Sequence, residues 1–259
     1  MNDDKRWLPR LGATPGAAIR LFCIPYAGGG ASVYYPWREA LPAGLELCPV
    51  QLPGRESRTD EESIDDFGAL LDALAPVVGR HLDLPYAIYG HSMGAGLAFE
   101  LARRLSTSHG RAPEHLFVGA HRSPNKPYSY PSVRSVSDDK VLQILARFNG
   151  MPRMVLENQD LLDMFLPILR SDLSVCETYA YRQHIVLDCP ITLFTGMRDA
   201  NVGPAQIAGW SEQTTGPFSH HEIDADHFFL KSHKEEVLGT LVGALAGRIG
   251  APSALQGCA

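Results

Sequence analysis

The sequence predicts an α/β fold in which a mostly parallel sheet is covered by helices on both faces. Two observations indicate it. Short apolar segments rich in Ile, Leu and Val show little alternation with polar residues, and segments with helical periodicity separate them. Strands with continuous apolar runs are typical of parallel sheets buried on both faces. A chain in which strands and helices follow one another in turn is typical of the α/β class.

The predicted elements follow one another along most of the chain. Six segments carry the strand pattern: residues 19–25, 45–50, 85–89, 115–120, 190–195 and 218–223. Five segments carry the helical pattern: residues 35–41, 63–81, 93–105, 204–212 and 232–248. The order of these segments predicts repeated strand–helix–strand units.

One connection is much longer than the others. Between Ala120 and Pro190 there are 69 residues, whereas a crossover between parallel strands needs roughly a dozen to thirty. Two helical patterns lie in it, and Pro167 should kink or split the second. We expect a single domain, residues 1–259, with a helical lid insertion at about 125–185 over the carboxyl edge of the sheet, where such folds bind ligands. A helical subdomain without a gating role is the alternative.

Composition narrows the class of protein further. The chain has 259 residues, is 45% hydrophobic and 20% charged, and carries a net charge of −6. These values are typical of a folded globule and argue against a nucleic-acid partner. The acidic N-terminus and the lack of a long apolar segment predict a cytoplasmic protein that does not associate with membranes. The five cysteines are scattered without a Cys-x-x-Cys pair, so we expect neither a disulfide scaffold nor a metal site. We also expect no cofactor.

The most informative motif is Gly-His-Ser-Met-Gly at residues 90–94. The pentapeptide alone is a weak signal, but here an apolar strand precedes it and a helix follows. This context is typical of a nucleophile elbow, in which the serine stands on a strained turn between strand and helix. A helix N-terminus behind the serine also favours developing negative charge. We therefore predict that Ser92 is a nucleophile.

The partners of a serine nucleophile on such a fold follow it in the order acid, then histidine. Asp199 comes directly after the strand at residues 190–195, and His227 follows the last strand. We predict that His227 takes the proton of Ser92 and that Asp199 orients His227. Other candidates exist in the same region, with structural or turn-forming roles as their simpler interpretation: His220, His221, His233, Asp224 and Asp226.

The glycine run after the first strand, residues 28–30, has two interpretations. A phosphate-binding loop would need a following Gly-Lys-Ser/Thr, which is not there. In a hydrolase, the loop at this position supplies a backbone N–H to an oxyanion hole. We predict that the amides of Ala27 and Met93 are the donors, although a plain flexible turn would give the same glycines.

Four stretches of the sequence resemble type II thioesterases. They are Phe-Cys-Ile-Pro-Tyr-Ala-Gly-Gly at residues 22–29, Gln-Leu-Pro-Gly-Arg-Glu at 51–56, the pentapeptide at 90–94 and Asp-His-Phe-Phe-Leu at 226–230. The second is the most specific, because Gly-x-Ser-x-Gly occurs in many hydrolases. The family often has glycine in the turn before its catalytic histidine, where this chain has Ala225 and Asp226.

The resemblance implies an α/β-hydrolase fold with a helical lid, and a partner enzyme of polyketide or nonribosomal peptide assembly lines. Its substrates would be acyl or aminoacyl thioesters on the phosphopantetheine arm of acyl or peptidyl carrier proteins, from which it would remove stalled or mis-primed units. Ser92, Asp199 and His227 match the catalytic triad of the family, and Ala27 and Met93 match its oxyanion-hole positions.

Carrier proteins are commonly acidic and this chain is acidic too, so docking would need a local basic patch. Arg122, Lys126 and Arg134 are candidates for it. Four side chains of the insertion are candidates to line an acyl chamber, with plain core as the alternative: Phe148, Met151, Met154 and Phe165.

The triad alone leaves other activities open. A carboxylesterase or lipase would act on oxygen esters, and an acyltransferase would use an amine or alcohol in place of water. A non-enzymatic binding module would not need Ser92 at all.

Overall fold

The computed structural model describes residues 3–146, 155, 157–183 and 185–250. Within them, six strands form one parallel sheet in the order β2-β1-β3-β4-β5-β6. The strands are β1 Ile19–Ile24, β2 Leu45–Pro49, β3 Tyr86–His91, β4 His115–Gly119, β5 Ile191–Gly196 and β6 Phe218–Ile223. The predicted parallel sheet is confirmed, and each predicted strand end lies within two residues of the observed one.

The helices of the described residues follow the same alternation. They are α1 Asp3–Trp7, α2 Phe67–Gly79, α3 Met93–His109, α4 Asp138–Ala146, α5 Gln159–Thr178, α6 Pro204–Ile207, α7 Phe229–Ser232 and α8 Lys234–Ile249. Shorter 3₁₀ segments span Ala31–Ala40, Glu56–Arg58 and Trp210–Gln213.

Three predicted helices differ from what forms. The segment at 35–41 belongs to the 3₁₀ segment Ala31–Ala40, which contains Pro36 and so lacks one N–H donor. The segment at 204–212 is interrupted at Gly209, whose φ of +109° is incompatible with a right-handed helix. The segment at 232–248 is divided at His233, which separates α7 from α8.

Apolar side chains pack on both faces of the sheet in two separate clusters. Successive strand residues point to opposite faces, so Ile88 belongs to the cluster under α2 and α3, whereas Tyr89 belongs to the one under α8. Each buried side chain of this size contributes about 1.5–3 kcal/mol to folding. Because all six strands are parallel, the loops that follow them start at one edge of the sheet.

The long connection between β4 and β5 carries α4 and α5, which pack together through a third apolar cluster that includes Val141, Ile144 and Leu166. Pro167 does not split α5, which continues through it as one helix. Asp163, whose carbonyl loses its helical partner to Pro167, is an exposed residue. Phe148, Met151 and Met154, predicted to line an acyl chamber, lie outside the described residues.

No helix in the described ranges is long and apolar enough to cross a membrane.

Candidate active site

Ser92 stands at the sharp turn between β3 and α3. Its φ of +54° and ψ of −120° lie in a region that L-residues rarely adopt. The flanking glycines make this turn possible. A Cβ on Gly90 would come within 2.1 Å of the carbonyl oxygen of Gly94, and a Cβ on Gly94 within 2.2 Å of that of Ile24. The strand, strained serine and helix have the form that the motif predicted.

Ser92, His227 and Asp199 are joined by hydrogen bonds. The distance from Ser92 Oγ to His227 Nε2 is 2.9 Å, and that from His227 Nδ1 to Asp199 Oδ2 is 2.6 Å. His227 is 3% exposed and Asp199 is 9% exposed. The three residues predicted as nucleophile, base and orienter therefore meet in one place, although 135 residues separate the first from the last of them in sequence.

The carboxylate of Asp199 is held in its ionised form. Burial by itself would raise the pKa of Asp199, but the hydrogen bond and charge of His227 outweigh it, so the pKa is lowered. The backbone N–H of Asn201 donates to Oδ1 over 2.9 Å. An ionised Asp199 accepts the Nδ1–H of His227, and in this tautomer Nε2 accepts the hydrogen bond from the Ser92 hydroxyl.

The rival acids and histidines have other contacts. His220 bonds to Thr195 Oγ1 over 2.8 Å, and His233 Nδ1 bonds to Ser232 Oγ over 2.9 Å. Asp224 pairs with Arg198 on the surface. Asp226 accepts the N–H of Phe228 over 2.9 Å and so closes the turn that carries His227. His221 is exposed on β6.

His91 has a role that the motif did not predict. Its Nε2 donates to the carbonyl oxygen of His227 over 2.8 Å, and its Nδ1 accepts from the Tyr89 hydroxyl over 3.2 Å. Burial, together with the nearby His227, lowers the pKa of His91 to about 3. The ring is therefore neutral at neutral pH, and it supports the backbone that carries His227. Nothing in the local sequence signals this contact, because it joins the end of β3 to the turn that carries His227, 136 residues away.

The two predicted oxyanion donors border the same cavity as Ser92. Ala27 lies in the glycine loop, which we define as residues 25–32, and Met93 begins α3. The N–H groups of a first helical turn have no partner within the helix and carry partial positive charge. The N–H of the neighbouring Gly28 donates to Asp172 Oδ2 over 2.6 Å. The sequence did not single out Asp172.

A cavity of about 260 Å³ opens beside Ser92. One wall comes from α4 and α5, through residues that include Ile144, Leu169 and Leu173. Most of the remaining lining is aromatic or aliphatic, which suits an apolar ligand chain. The lining of this cavity does not include Phe165, which is 36% exposed on α5.

The three cations predicted for docking lie in different settings. Arg122 and Lys126 border the cavity. Arg134 is on the surface, where it pairs with Asp65 at 3.3 Å. Within the described part of the chain, no group of three or more His, Cys, Asp or Glu side chains is placed to hold a metal ion.

Comparison with known proteins identifies the family. Residues 19–245 match the thioesterase domain family. The chain belongs to this family. This thioesterase is 38% identical to the gramicidin S biosynthesis protein GrsT of Aneurinibacillus migulanus over 233 residues. The aligned region covers 90% of this chain and 91% of GrsT.

Solved structures agree with this assignment. The type II thioesterase BorB from the borrelidin biosynthetic cluster superposes with a TM-score of 0.81 at 38% identity, over 89% of this chain and 94% of BorB. The RedJ thioesterase from the prodiginine pathway of Streptomyces coelicolor superposes with a TM-score of 0.83 at 34% identity, over 93% of this chain and 99% of RedJ. The predicted α/β-hydrolase fold and thioesterase family are confirmed, and the relatives favour thioester hydrolysis over the carboxylesterase and acyltransferase alternatives.

Proposed function

We propose that this thioesterase hydrolyses acyl or aminoacyl thioesters from the phosphopantetheine arm of carrier proteins, and so clears stalled or mis-primed units from polyketide or nonribosomal peptide assembly lines. The observation that carries the proposal is the hydrogen-bonded series Ser92–His227–Asp199 at the mouth of a largely apolar cavity. The names of GrsT and BorB, which refer to gramicidin S biosynthesis and the borrelidin cluster, support this choice of substrate.

In this mechanism Ser92 Oγ attacks the thioester carbonyl carbon while His227 Nε2 takes the hydroxyl proton. The 2.9 Å separation of the two atoms supports this step. The tetrahedral intermediate carries its negative charge on the former carbonyl oxygen, where the N–H groups of Ala27 and Met93 would bind it. The C–S bond then breaks. A thiol with a pKa near 8.5 leaves readily and needs little acid assistance to do so. The leaving sulfur takes up the proton that His227 received from Ser92, so His227 is neutral again before water enters.

Deacylation repeats the same chemistry with water. His227 Nε2 takes a proton from a water molecule, and the hydroxide attacks the acyl-Ser92 ester. Collapse of the second tetrahedral intermediate returns the proton to Ser92 and releases the free acid. Asp199 holds the tautomer of His227 and stabilises its positive charge in both steps. The buried position of the pair supports this role, because charges interact strongly where water is excluded.

We also propose that the whole chain is one domain and that the insertion at about 125–185 acts as a lid over the acyl group. The contribution of α4 and α5 to the cavity wall supports this assignment. Arg122 and Lys126, which border the cavity, are the better candidates for contact with an acidic carrier, since Arg134 already has an acidic partner. The predicted cytoplasmic location is part of the proposal.

Intact-mass spectrometry of acylated carrier proteins tests the proposed function. Carriers loaded with different acyl and aminoacyl groups should lose the acyl mass and return to the free phosphopantetheine form in the presence of the enzyme. Ser92→Ala should leave every carrier loaded. A matched oxygen ester of the same acyl group should react more slowly. A strong preference for the ester, or transfer of the acyl group to an added amine or alcohol, would contradict the proposal.

A further inference from the structure

The far end of the glycine loop is fixed by the segment that follows β2. Gln51 Oε1 accepts the N–H of Ala31 over 3.0 Å, and Glu56 Oε1 accepts the hydroxyl of Ser32 over 2.6 Å. The Glu56 carboxylate fills the space beside Gly30, where an added Cβ would lie 2.4 Å from it. Residues 51–56 therefore hold residues 30–32 of the loop through side chains.

The near end of the loop is fixed by α5, which comes from a distant part of the chain. Gly28 N–H donates to Asp172 Oδ2 over 2.6 Å. One turn earlier on the same helix, Leu169 packs so closely on Gly28 that an added Cβ would lie 2.5 Å from Leu169 Cδ2. Gly28 also has a φ of +81°, which favours glycine. The loop thus adopts its shape against the surface of α5.

Arg55 holds Asp172 in place. The guanidinium meets the carboxylate with two N–H groups, one of them 2.8 Å from Oδ1, and its Nε donates to the carbonyl of Pro53 over 3.2 Å. The side chains are 5% and 1% exposed. The carboxylate of Asp172 therefore keeps a fixed position, because its movement would leave the buried guanidinium of Arg55 without its charged partner.

We propose that Asp172, held by Arg55, is a positioning residue for the oxyanion hole. It binds the N–H of Gly28 and so orients the preceding peptide unit, which carries the amide of Ala27. This inference rests on the proposed function, in which that amide binds the oxyanion. The same helix lines the acyl cavity through Leu169 and Leu173. The helix that forms part of the cavity wall therefore also holds the loop that carries the predicted oxyanion donor.

The variant Asp172→Asn tests this role, because it keeps the shape of the side chain but replaces one of its two acceptor oxygens with an NH2 donor. That donor would face either an N–H of Arg55 or the N–H of Gly28. A donor displaced by about 1 Å costs about 100-fold in rate. We expect kcat on an acyl thioester to fall about 10- to 100-fold and KM to change less than about threefold. A trifluoromethyl ketone that forms a hemiketal with Ser92 measures the oxyanion hole directly, and its affinity should fall in parallel with kcat.

Glu46→Gln is the matched control. Glu46 is a buried carboxylate that also accepts from an arginine and from a glycine N–H, but it lies in β2 and does not border the cavity. The loss of the Glu46 charge should lower thermal stability and leave kcat and ketone affinity unchanged. A folded Asp172→Asn enzyme with the kcat and ketone affinity of the wild type would overturn the inference.

Arg55→Lys decides the question if Asp172→Asn does not fold. Lysine keeps the opposite charge but loses the paired geometry, so kcat and ketone affinity should fall together by about three- to tenfold. An unchanged ketone affinity would overturn the inference. Failure of the proposed function would be visible separately, as loaded carriers that the wild-type enzyme leaves intact.

Discussion

Two buried arginine–carboxylate pairs lie at opposite edges of the sheet. Arg20 and Glu46 are near the amino ends of β1 and β2, with Nε and Oε2 2.8 Å apart and side-chain exposures of 11% and 2%. Arg55 and Asp172 lie beyond the carboxyl ends, with side-chain exposures of 5% and 1%. The two pairs have the same chemistry and similar burial.

Each carboxylate also accepts the N–H of a glycine. Gly12 N–H donates to Glu46 Oε1 over 2.5 Å, and Gly28 N–H donates to Asp172 Oδ2 over 2.6 Å. The difference lies in what the glycine belongs to. Gly12 precedes β1 and lies away from the cavity, whereas Gly28 is next to a predicted oxyanion donor. We infer that the same type of interaction stabilises the fold at the amino edge and fixes the geometry of the reaction site at the carboxyl edge.

The largest effect should come from the carboxyl edge itself. Asp199→Asn keeps the size of the side chain but no longer enforces the tautomer of His227 that accepts the proton of Ser92. We expect kcat to fall about 10⁴-fold with the fold intact. Steady-state hydrolysis of an acyl thioester, with circular dichroism as the control for folding, measures this. A loss below tenfold would mean that Asp199 does not orient the base.

Apolar replacement of both pairs separates activity from stability. A buried ion pair replaced as a unit by apolar side chains often costs little stability. We expect the double variant Arg55→Met, Asp172→Leu to lose about 10- to 100-fold in kcat. The corresponding variant Arg20→Met, Glu46→Leu should keep kcat within about twofold. Equal losses of kcat in the two double variants would contradict the proposed difference between the two edges.

Acid sensitivity of folding should depend on His91. Its pKa is lowered to about 3 in the folded protein, and an unfolded histidine titrates near 6.5. Between these pH values the unfolded chain binds up to one more proton than the folded chain. The free energy of unfolding therefore decreases as the pH is lowered, by up to about 1.4 kcal/mol per pH unit. His91→Gln should reduce this pH dependence by the contribution of one proton, and kcat should stay within about tenfold of wild type. Urea unfolding from pH 7 to 4.5 measures it, and an unchanged slope would show that the folded state binds this proton.

The smallest effect on turnover should come from Glu46→Gln. The change leaves Arg20 paired with Asp83 but weakens a buried interaction, so we expect the free energy of unfolding to fall by about 2 kcal/mol. The value of kcat should stay within about twofold of wild type. Urea unfolding and steady-state kinetics on the same sample check both numbers. A large loss of kcat without loss of stability would reverse the roles of the two edges.

Local patterns were sufficient for the sheet and for the three residues that meet at the site. Ser92 is marked by its own pentapeptide, and Asp199 and His227 each follow a strand, so parallel strands bring all three to one edge. The helical segments were less well predicted. Periodicity marked residues 204–212 and 232–248 as single helices, but Gly209 and His233 interrupt them. The helix α5 continues through Pro167, where the periodicity predicted a kink or a split.

The order of strands and helices, the elbow at Ser92 and the family of the protein could be inferred from sequence, because these depend on residues close together in the chain. The side chains that support these features could be identified only from the folded structure. Asp172 meets Arg55 across 117 residues, and His91 meets the carbonyl of His227 across 136. Such contacts form when distant segments of the chain pack together, so a local sequence pattern does not predict them.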